Sequence, residues 1–155
     1  MNPTFMEEAI RLAAEGMQHD QGGPFGAVVV KEGKIIGKGC NQVTSQNDPT
    51  AHAEMVAIRE ACHHLGSFQL NGCELYTSCE PCPMCLGAIY WARLDRVYYA
   101  GTRQDAARHG FDDALIYEEI ELAPSERLIS FTQLDQEKAL EVFRAWTAKE
   151  DRKEY

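Results

Sequence analysis

The sequence lacks any apolar run long enough to form a membrane-spanning helix. Such a helix needs about 18 or more consecutive apolar residues, and no stretch of the 155 residues approaches that length. Residues 1–4 also lack the basic segment followed by an apolar run that begins a secretory signal. We therefore expect a soluble, cytoplasmic protein with no membrane partner.

The sequence also lacks a basic stripe, an internal repeat and a low-complexity linker. Its net charge is −9, and its acidic and basic residues are interspersed. Because nucleic-acid binding draws on phosphate neutralisation by Lys and Arg, this balance disfavours a nucleic-acid partner and favours a small ligand. With 45% apolar residues, the chain has material for one buried core, and we expect residues 1–155 to form a single domain.

Apolar periodicity and turn residues predict the order of helices and strands. A helix over residues 4–18, with Thr4 and Glu7 in a capping-box pattern, precedes a hairpin of two strands. The further predictions are a helix from about residue 51 that ends at Gly66, a strand over 73–78, a helix over 83–92, a strand over 96–100 and, more weakly, a helix over 114–120, a strand over 128–134 and a helix over 136–149. This alternation predicts an α/β layered sandwich with helices on both faces of the sheet.

Two short motifs contain side chains that suit a metal-dependent hydrolase. His52-Ala53-Glu54 is followed, further along the chain, by Pro81-Cys82-Pro83-Met84-Cys85. Zinc favours imidazole and thiolate ligands, and a hydrolytic zinc site has three protein ligands and one open position for water. His52, Cys82 and Cys85 match that number, and H-x-E with P-C-x-x-C is the known signature of zinc nucleobase deaminases.

The spacing places both motifs at helix N-termini. Residues two apart diverge by about 200° around a helix, so His52 and Glu54 can face one point only near the helix end. Cys82 and Cys85, three apart, share a face of the next helix. Two helix N-termini at one site would lower the thiol pKa values and ease ionisation of a bound water. We assign Glu54 as the group that carries the proton of that water, and not as a ligand.

Other interpretations of the cysteines remain. Cys82 and Cys85 alone would suit a redox pair or half of a four-cysteine structural zinc site. Together with Cys79 they resemble the start of an iron–sulfur motif, but the next ligand position is Ile89, so that motif is incomplete. We interpret Cys79 as a buried residue at a strand end.

Longer stretches of the chain resemble the cytidine-deaminase superfamily. They are residues 24–26, Asn41, residues 47–54 and residues 77–93. Within the superfamily the chain is similar to the small bacterial guanine deaminases, through residues 90–93, 110–113 and 153–155. The resemblance runs nearly from end to end.

This resemblance implies a fold, a reaction and site residues. The fold is a three-layer α/β/α sandwich with a mixed five-stranded sheet, and the reaction is hydrolysis of guanine to xanthine and ammonia with one zinc ion per chain. Phe25 and Trp91 would line the base pocket, Asn41 would hydrogen-bond the purine, and Asp113 would contact the departing amine. The resemblance also implies a homodimer that exchanges a C-terminal segment of about residues 128–155, so that Tyr155 closes the partner's site.

Three alternative functions remain at this stage. Deaminases of adenosine in transfer RNA have a nearly identical zinc motif, although the acidic charge balance and the mixed tail over residues 150–155 disfavour RNA. Cytosine or another aminated heterocycle, such as a triazine, is a second alternative. A non-catalytic domain stabilised by zinc is the third, and it would need neither Glu54 nor an open coordination position.

Overall fold

The first part of the chain is built on a mixed four-stranded sheet. The computed structural model describes residues 2–155 and divides the chain into two units, the first ending at Asp113 and the second spanning Ala114–Tyr155. The sheet order is β2-β1-β3-β4, with β1 antiparallel to both neighbours and β3 parallel to β4. The strands are β1 (Gly26–Lys31), β2 (Lys34–Cys40), β3 (Cys73–Cys79) and β4 (Arg96–Gly101).

Five helices accompany the sheet in the first unit. They are α1 (Pro3–Gln18), α2 (Val43–Gln46), α3 (Ala53–Leu65), α4 (Pro83–Ala92) and α5 (Arg103–Arg108). The long helices and all four strands match the predicted segments to within about two residues. The predicted end of α3 is confirmed, since Gly66 adopts the left-handed conformation at φ 60° and caps the helix.

Alternate residues of β1 face two separate apolar clusters. Ala27 and Val29 pack with α3 and α4 on one face of the sheet, whereas Val28 and Val30 pack with Tyr76 and α1 on the other. This alternation follows from the period of two in a strand. The first unit is therefore an α/β/α layered sandwich, as predicted.

Glycines of β2 let α3 lie directly against the sheet. A Cβ atom added at Gly39 would come within 2.2 Å of the Ala53 carbonyl oxygen, and one at Gly37 within 2.3 Å of the Ala57 oxygen. Together with the small alanine side chains on that face of the helix, this contact fixes how close the first turn of α3 lies to the sheet.

Two predictions about local structure are wrong. Helix α1 is capped by the Asn2 side chain, which accepts a hydrogen bond from the Thr4 amide at 3.1 Å, and Thr4 lies inside the helix. Asn is as good a cap as Thr, and Pro3 at the first helical position favours the earlier start. The sheet has four strands and not five, because residues 128–134 form no ladder with any strand among residues 2–155.

The second unit is helical. It contains α6 (Ala114–Glu121), a 3₁₀ turn (Pro124–Glu126) and α7 (Gln136–Ala148). Arg127 connects its parts, because its Nε donates to the Glu119 carbonyl oxygen at 3.1 Å and its guanidinium lies 5.0 Å from the centre of the Phe131 ring. Across residues 2–155, no helix combines the length and the apolar character needed to cross a membrane.

Candidate active site

The first turn of α3 positions His52 and Glu54. His52 is the N-cap residue, in an extended conformation, and Glu54 is the second residue of the helix. The preceding loop is tied down by Asp48, whose Oδ1 accepts hydrogen bonds from the Thr50 amide at 2.8 Å and the Thr50 hydroxyl at 2.7 Å. Both side chains therefore lie at the helix end, as the sequence predicted.

Helix α4 positions the two cysteines in the same way. Cys82 is its N-cap, Pro83 is its first residue, and Cys85 lies buried one turn further on. The loop before the helix is held by Glu80, whose amide donates to the Gly101 oxygen at 2.8 Å and whose carboxylate accepts from the Arg103 amide at 3.0 Å. These contacts fix the position of Cys82 after the end of β3.

The structure brings His52, Cys82 and Cys85 together. Their metal-binding atoms all lie within 4.8 Å of one another. His52 Nδ1 is 3.5 Å from Cys82 Sγ and 3.6 Å from Cys85 Sγ. In a tetrahedral zinc site, bonds of about 2.3 Å to sulfur and 2.0 Å to nitrogen place these atoms roughly 3.5 Å apart. One imidazole and two thiols at this spacing fit zinc, with one coordination position left for water.

The local electrostatics prepare one thiol as an anion. The hydrogen bond from Cys85 and the contact with His52 lower the pKa of Cys82 to about 4. The hydrogen bond with Cys82 is the main cause that raises the pKa of Cys85, and burial is the second cause. The pKa of His52 is raised chiefly by its hydrogen bond with Cys82. Cys82 is therefore held as a thiolate, which is the form in which a cysteine binds zinc.

Glu54 lies buried beside this cluster, with 6% of its surface exposed. The Thr77 hydroxyl donates to its Oε1 at 3.2 Å, and Cys85 Sγ lies 3.6 Å from its Oε2. Burial is the main cause that raises the pKa of this carboxyl. One oxygen is thus anchored to β3 while the other lies beside Cys85, which suits a group that accepts and returns a proton.

Phe25 and Asn41 lie together, on the loop before β1 and at the end of β2. The Asn41 amide donates to the Phe25 carbonyl oxygen at 2.9 Å. The Phe25 ring meets Phe111 edge to face, with centroids 4.8 Å apart and an interplanar angle of 86°. We refer to the paired rings of Phe25 and Phe111 as the aromatic wall.

Asp113 lies within electrostatic reach of Cys82, and Cys79 lies within electrostatic reach of Glu54. Burial raises the pKa of the half-buried Asp113 carboxyl, and the negative charge of Cys82 adds to this effect. Burial also raises the pKa of Cys79 to about 11, and its Sγ lies 3.7 Å from the Thr102 carbonyl oxygen. Cys79 is outside the metal-binding trio. It lies at the end of β3, as predicted, but it is half-buried and not buried as expected.

Trp91 and Tyr155 are the predicted pocket residues with the most exposed side chains. Trp91 is nine residues beyond Cys82, about 13 Å along the α4 axis, and its side chain is 65% exposed. Tyr155 ends the second unit and is 70% exposed. Their roles remain predictions.

Two residues with a place in the site were not assigned a role from the sequence. Thr77 binds the Glu54 carboxylate, and Phe111 packs against Phe25. Both lie inside the stretches that carry the resemblance, but nothing in their local pattern distinguishes a buried strand threonine or a loop phenylalanine from ordinary packing residues.

Residues 1–101 match the family model for the cytidine and deoxycytidylate deaminase zinc-binding region. The chain therefore belongs to this family of zinc-binding deaminases, and the predicted zinc requirement is confirmed. The guanine deaminase of Bacillus subtilis strain 168 is 57% identical over 152 residues, which is 98% of this chain and 97% of that protein. This similarity confirms the resemblance to the bacterial guanine deaminases.

The solved structures agree with this placement. The X-ray structure of guanine deaminase from Bacillus subtilis superposes with a TM-score of 0.97 at 56% identity, covering 100% of this chain and 99% of that one. A tRNA-specific adenosine deaminase from Aquifex aeolicus is 46% identical, but only over 62% of this chain and 63% of its own length. The similarity to the guanine deaminase therefore includes nearly all of the second unit, whereas over a third of this chain lies outside the match to the adenosine deaminase.

Proposed function

We propose that this protein hydrolyses guanine to xanthine and ammonia. The observation that carries the proposal is the similarity to a guanine deaminase over 98% of the chain, which includes the second unit. The geometry supports the same reaction class, since three zinc ligands and a buried carboxyl meet at two helix N-termini. The net charge of −9 favours a free base over a nucleic acid as substrate.

The reaction replaces the amino group at C2 of guanine with the oxygen of a water molecule, so that a C–O bond forms and the C2–N bond to the amino group breaks. A carbonyl oxygen forms at C2, and the amino group leaves as ammonia. Zinc held by His52, Cys82 and Cys85 would lower the pKa of a water and so supply a nucleophile at neutral pH. The remaining steps are proton transfers and binding contacts, which this chain's own side chains can provide.

Glu54 is suited to the proton transfers. Its buried carboxyl has a raised pKa and therefore accepts a proton readily. Its Oε2 lies beside Cys85, while Thr77 holds the other oxygen. In our proposal Glu54 takes one proton of the attacking water and passes it to a ring nitrogen beside C2. It then takes the second proton from the new hydroxyl group at C2 and gives it to the leaving amine, which is hydrogen-bonded to Asp113.

The base would be held by side chains that suit a flat, polar-edged purine. Phe25 offers a ring face or edge, supported by Phe111. Asn41 offers an amide at the end of β2. We also assign Trp91 to the pocket, as the family resemblance implies.

We further propose a homodimer in which the C-terminal segment of each chain reaches the other chain's site, bringing Tyr155 over the base. The second unit supports this assignment because it leaves many large apolar side chains exposed. They include Leu115, Ile116, Ile120, Leu128, Ile129, Leu134, Val142 and Phe143.

All six cysteines are free, which supports the expected cytoplasmic location.

Ammonia release from a panel of substrates tests the proposed reaction. The panel contains guanine, guanosine, adenine, cytosine, a triazine and transfer RNA, each with Glu54→Gln as the blank. We expect release from guanine with an equal amount of xanthine formed. Release from transfer RNA with none from guanine would assign the chain to the adenosine deaminases, and no release from any substrate would favour a non-catalytic zinc domain.

A further inference from the structure

The Asn41 side-chain amide has only one possible orientation. Its Oδ1 accepts hydrogen bonds from the Gly23 amide at 3.1 Å and from the Val43 amide at 3.2 Å. Backbone N–H groups can only donate, so the oxygen of the side chain must face them and the NH₂ group must point the other way.

The NH₂ group of Asn41 is left as an open donor. Among residues 2–155, the hydrogen bonds of Asn41 involve its backbone amide and Oδ1, and none is made by Nδ2. No fully buried side-chain nitrogen or oxygen in the described chain lacks a partner, so Nδ2 retains access to solvent although Asn41 is only 6% exposed. A nearly buried amide with one open donor is an arrangement that a ligand can complete.

Gly22 makes this orientation possible. A Cβ atom at residue 22 would lie 2.2 Å from Asn41 Oδ1 and 2.6 Å from the Asn41 carbonyl oxygen, far closer than real contacts allow. The backbone of Gly22 is not in the left-handed region. Glycine is therefore needed here for close approach and not for a turn, and any side chain would displace the Asn41 amide.

The neighbouring Gly23 connects this loop to the aromatic wall. A Cβ atom there would lie 3.2 Å from the rings of both Phe25 and Phe111. The two glycines thus occupy the space between the Asn41 amide and the Phe25–Phe111 pair. One loop sets the position of both the polar and the aromatic part of the proposed base pocket.

We propose that Gly22 is a positioning residue, which fixes the Asn41 amide so that its NH₂ group donates to an acceptor atom of the bound base. This inference rests on the proposed function, in which Asn41 contacts the purine. The recognised group is an unprotonated ring nitrogen or a carbonyl oxygen, both of which guanine has. A base that presents a donor at this point would be rejected, because two donors would face each other.

A set of variants tests the positioning role. Gly22→Ala should raise KM for guanine roughly tenfold, as expected for a lost hydrogen bond of about 1.4 kcal/mol, while kcat and zinc content change little. Gly87→Ala is the matched control, because its added Cβ would meet no atom within 4 Å. In an Asn41→Ala background, Gly22→Ala should cause no further rise in KM. It should also lower the melting temperature less than in the parent, because the clash with Oδ1 is gone and only the clash with the backbone of residue 41 remains. An additive effect on KM would overturn the inference.

Asn41→Asp tests the polarity without adding any atom near the backbone. One carboxylate oxygen can still accept from Gly23 and Val43, but the other becomes an acceptor where the NH₂ group donated. We expect kcat/KM for guanine to fall by at least tenfold, as for the loss of about 1.4 kcal/mol. A value within twofold of the parent would contradict the donor assignment even if Gly22→Ala did not fold.

An NMR measurement separates failure of this inference from failure of the proposed function. Gly22→Ala should shift the side-chain NH₂ signals of Asn41 in the substrate-free protein, and Gly87→Ala should leave them in place. If the parent does not deaminate guanine but these signals shift, the substrate assignment is wrong and the positioning role is supported. If guanine is deaminated and the signals stay unchanged, the positioning role is wrong.

Discussion

The position and the pKa of the Glu54 carboxyl are set by residues that are far from it in sequence. Thr77, on β3, holds one of its oxygens, and Cys85, on α4, lies beside the other. Burial between these elements raises its pKa. A carboxyl that is anchored on one side and desolvated throughout can exchange a proton without reorienting.

Glu54→Gln should abolish catalysis and spare the fold. Glutamine has the same shape and can still accept the Thr77 hydrogen bond through its oxygen, but it cannot carry the proton. We expect kcat to fall by about 10²- to 10⁴-fold, with zinc content and melting temperature unchanged. Steady-state kinetics, metal analysis and thermal unfolding measure these quantities. Turnover within tenfold of the parent would remove Glu54 from its proposed role.

At the scale of residues, the grouping of the predicted metal ligands was predictable and the supporting residues were not. His52, Cys82 and Cys85 have distinctive chemistry at a distinctive spacing, and the structure brings their metal-binding atoms within 4.8 Å of one another. Thr77 and Gly22 act through contacts with residues 23 and 19 positions away. A threonine in a strand and a glycine in a loop have many ordinary explanations, and only the folded chain distinguishes them.

Among the elements, α3 and α4 meet at the metal site. The N-cap of α3 is His52 and the N-cap of α4 is Cys82, so a bound zinc ion joins the two helices on one face of the sheet. Because the ligands are distant in sequence and the ion binds only the folded chain, zinc should contribute directly to stability.

Removing zinc should therefore lower both activity and stability. We expect a chelator to abolish ammonia release and to lower the free energy of unfolding by about 3 kcal/mol or more, the value for a ligand present at over 100 times its Kd. Added zinc should restore both. Cys82→Ser should have the same effect, whereas Cys79→Ser, outside the trio, should retain about one zinc per chain. Full activity in metal-free protein would contradict the zinc mechanism.

Gly39→Ala should destabilise the contact between β2 and α3. The added methyl group would lie 2.2 Å from the Ala53 oxygen and 2.8 Å from the Ala57 nitrogen, so the helix must move. We expect a loss of about 1–3 kcal/mol in the free energy of unfolding, typical of overpacking, measured by denaturant titration.

Gly87→Ala is the matched control for that variant. Gly87 is exposed in α4, and its added Cβ would meet no atom within 4 Å. Alanine should therefore stabilise the helix by about 0.5–1 kcal/mol. Equal stability changes in the two variants would contradict the close-contact explanation for Gly39.

Elements were predictable where one strand or helix contains its own signal. The apolar run of β1 and the Gly66 stop signal of α3 are local features, and both were predicted correctly. Residues 128–134 also alternate in a strand-like way, but a strand exists only when another strand pairs with it. That partner is absent from the sheet of a single described chain, and the local pattern does not reveal this.

At the scale of the whole molecule, the second unit is where apolar exposure is concentrated. No residue of α6 or α7 is buried within the described chain, although these helices include Ile116, Val142 and Phe143. Such surface is unusual in a monomer. The proposed exchange of C-terminal segments would cover it, and it would also divide each active site between two chains.

Complementation between two inactive variants tests that division. One chain has Glu54→Gln and an intact tail, and the other lacks Tyr155 but retains Glu54. If Tyr155 acts on the partner's site, each variant alone is inactive, whereas a mixed dimer has one complete site, formed by Glu54 of one chain and Tyr155 of the other. Refolding equal amounts together should give about a quarter of the parent activity per chain, because half of the dimers are mixed and each has one working site of two.

The controls identify which part of this proposal holds. Mixing the two variants without unfolding should give little activity at first, because the exchanged segments separate slowly. If refolding together restores nothing while the parent recovers fully under the same conditions, Tyr155 serves its own chain's site. If removal of Tyr155 alone leaves the rate unchanged, the tail has no role in catalysis, and the exposed apolar face of the second unit requires a different explanation.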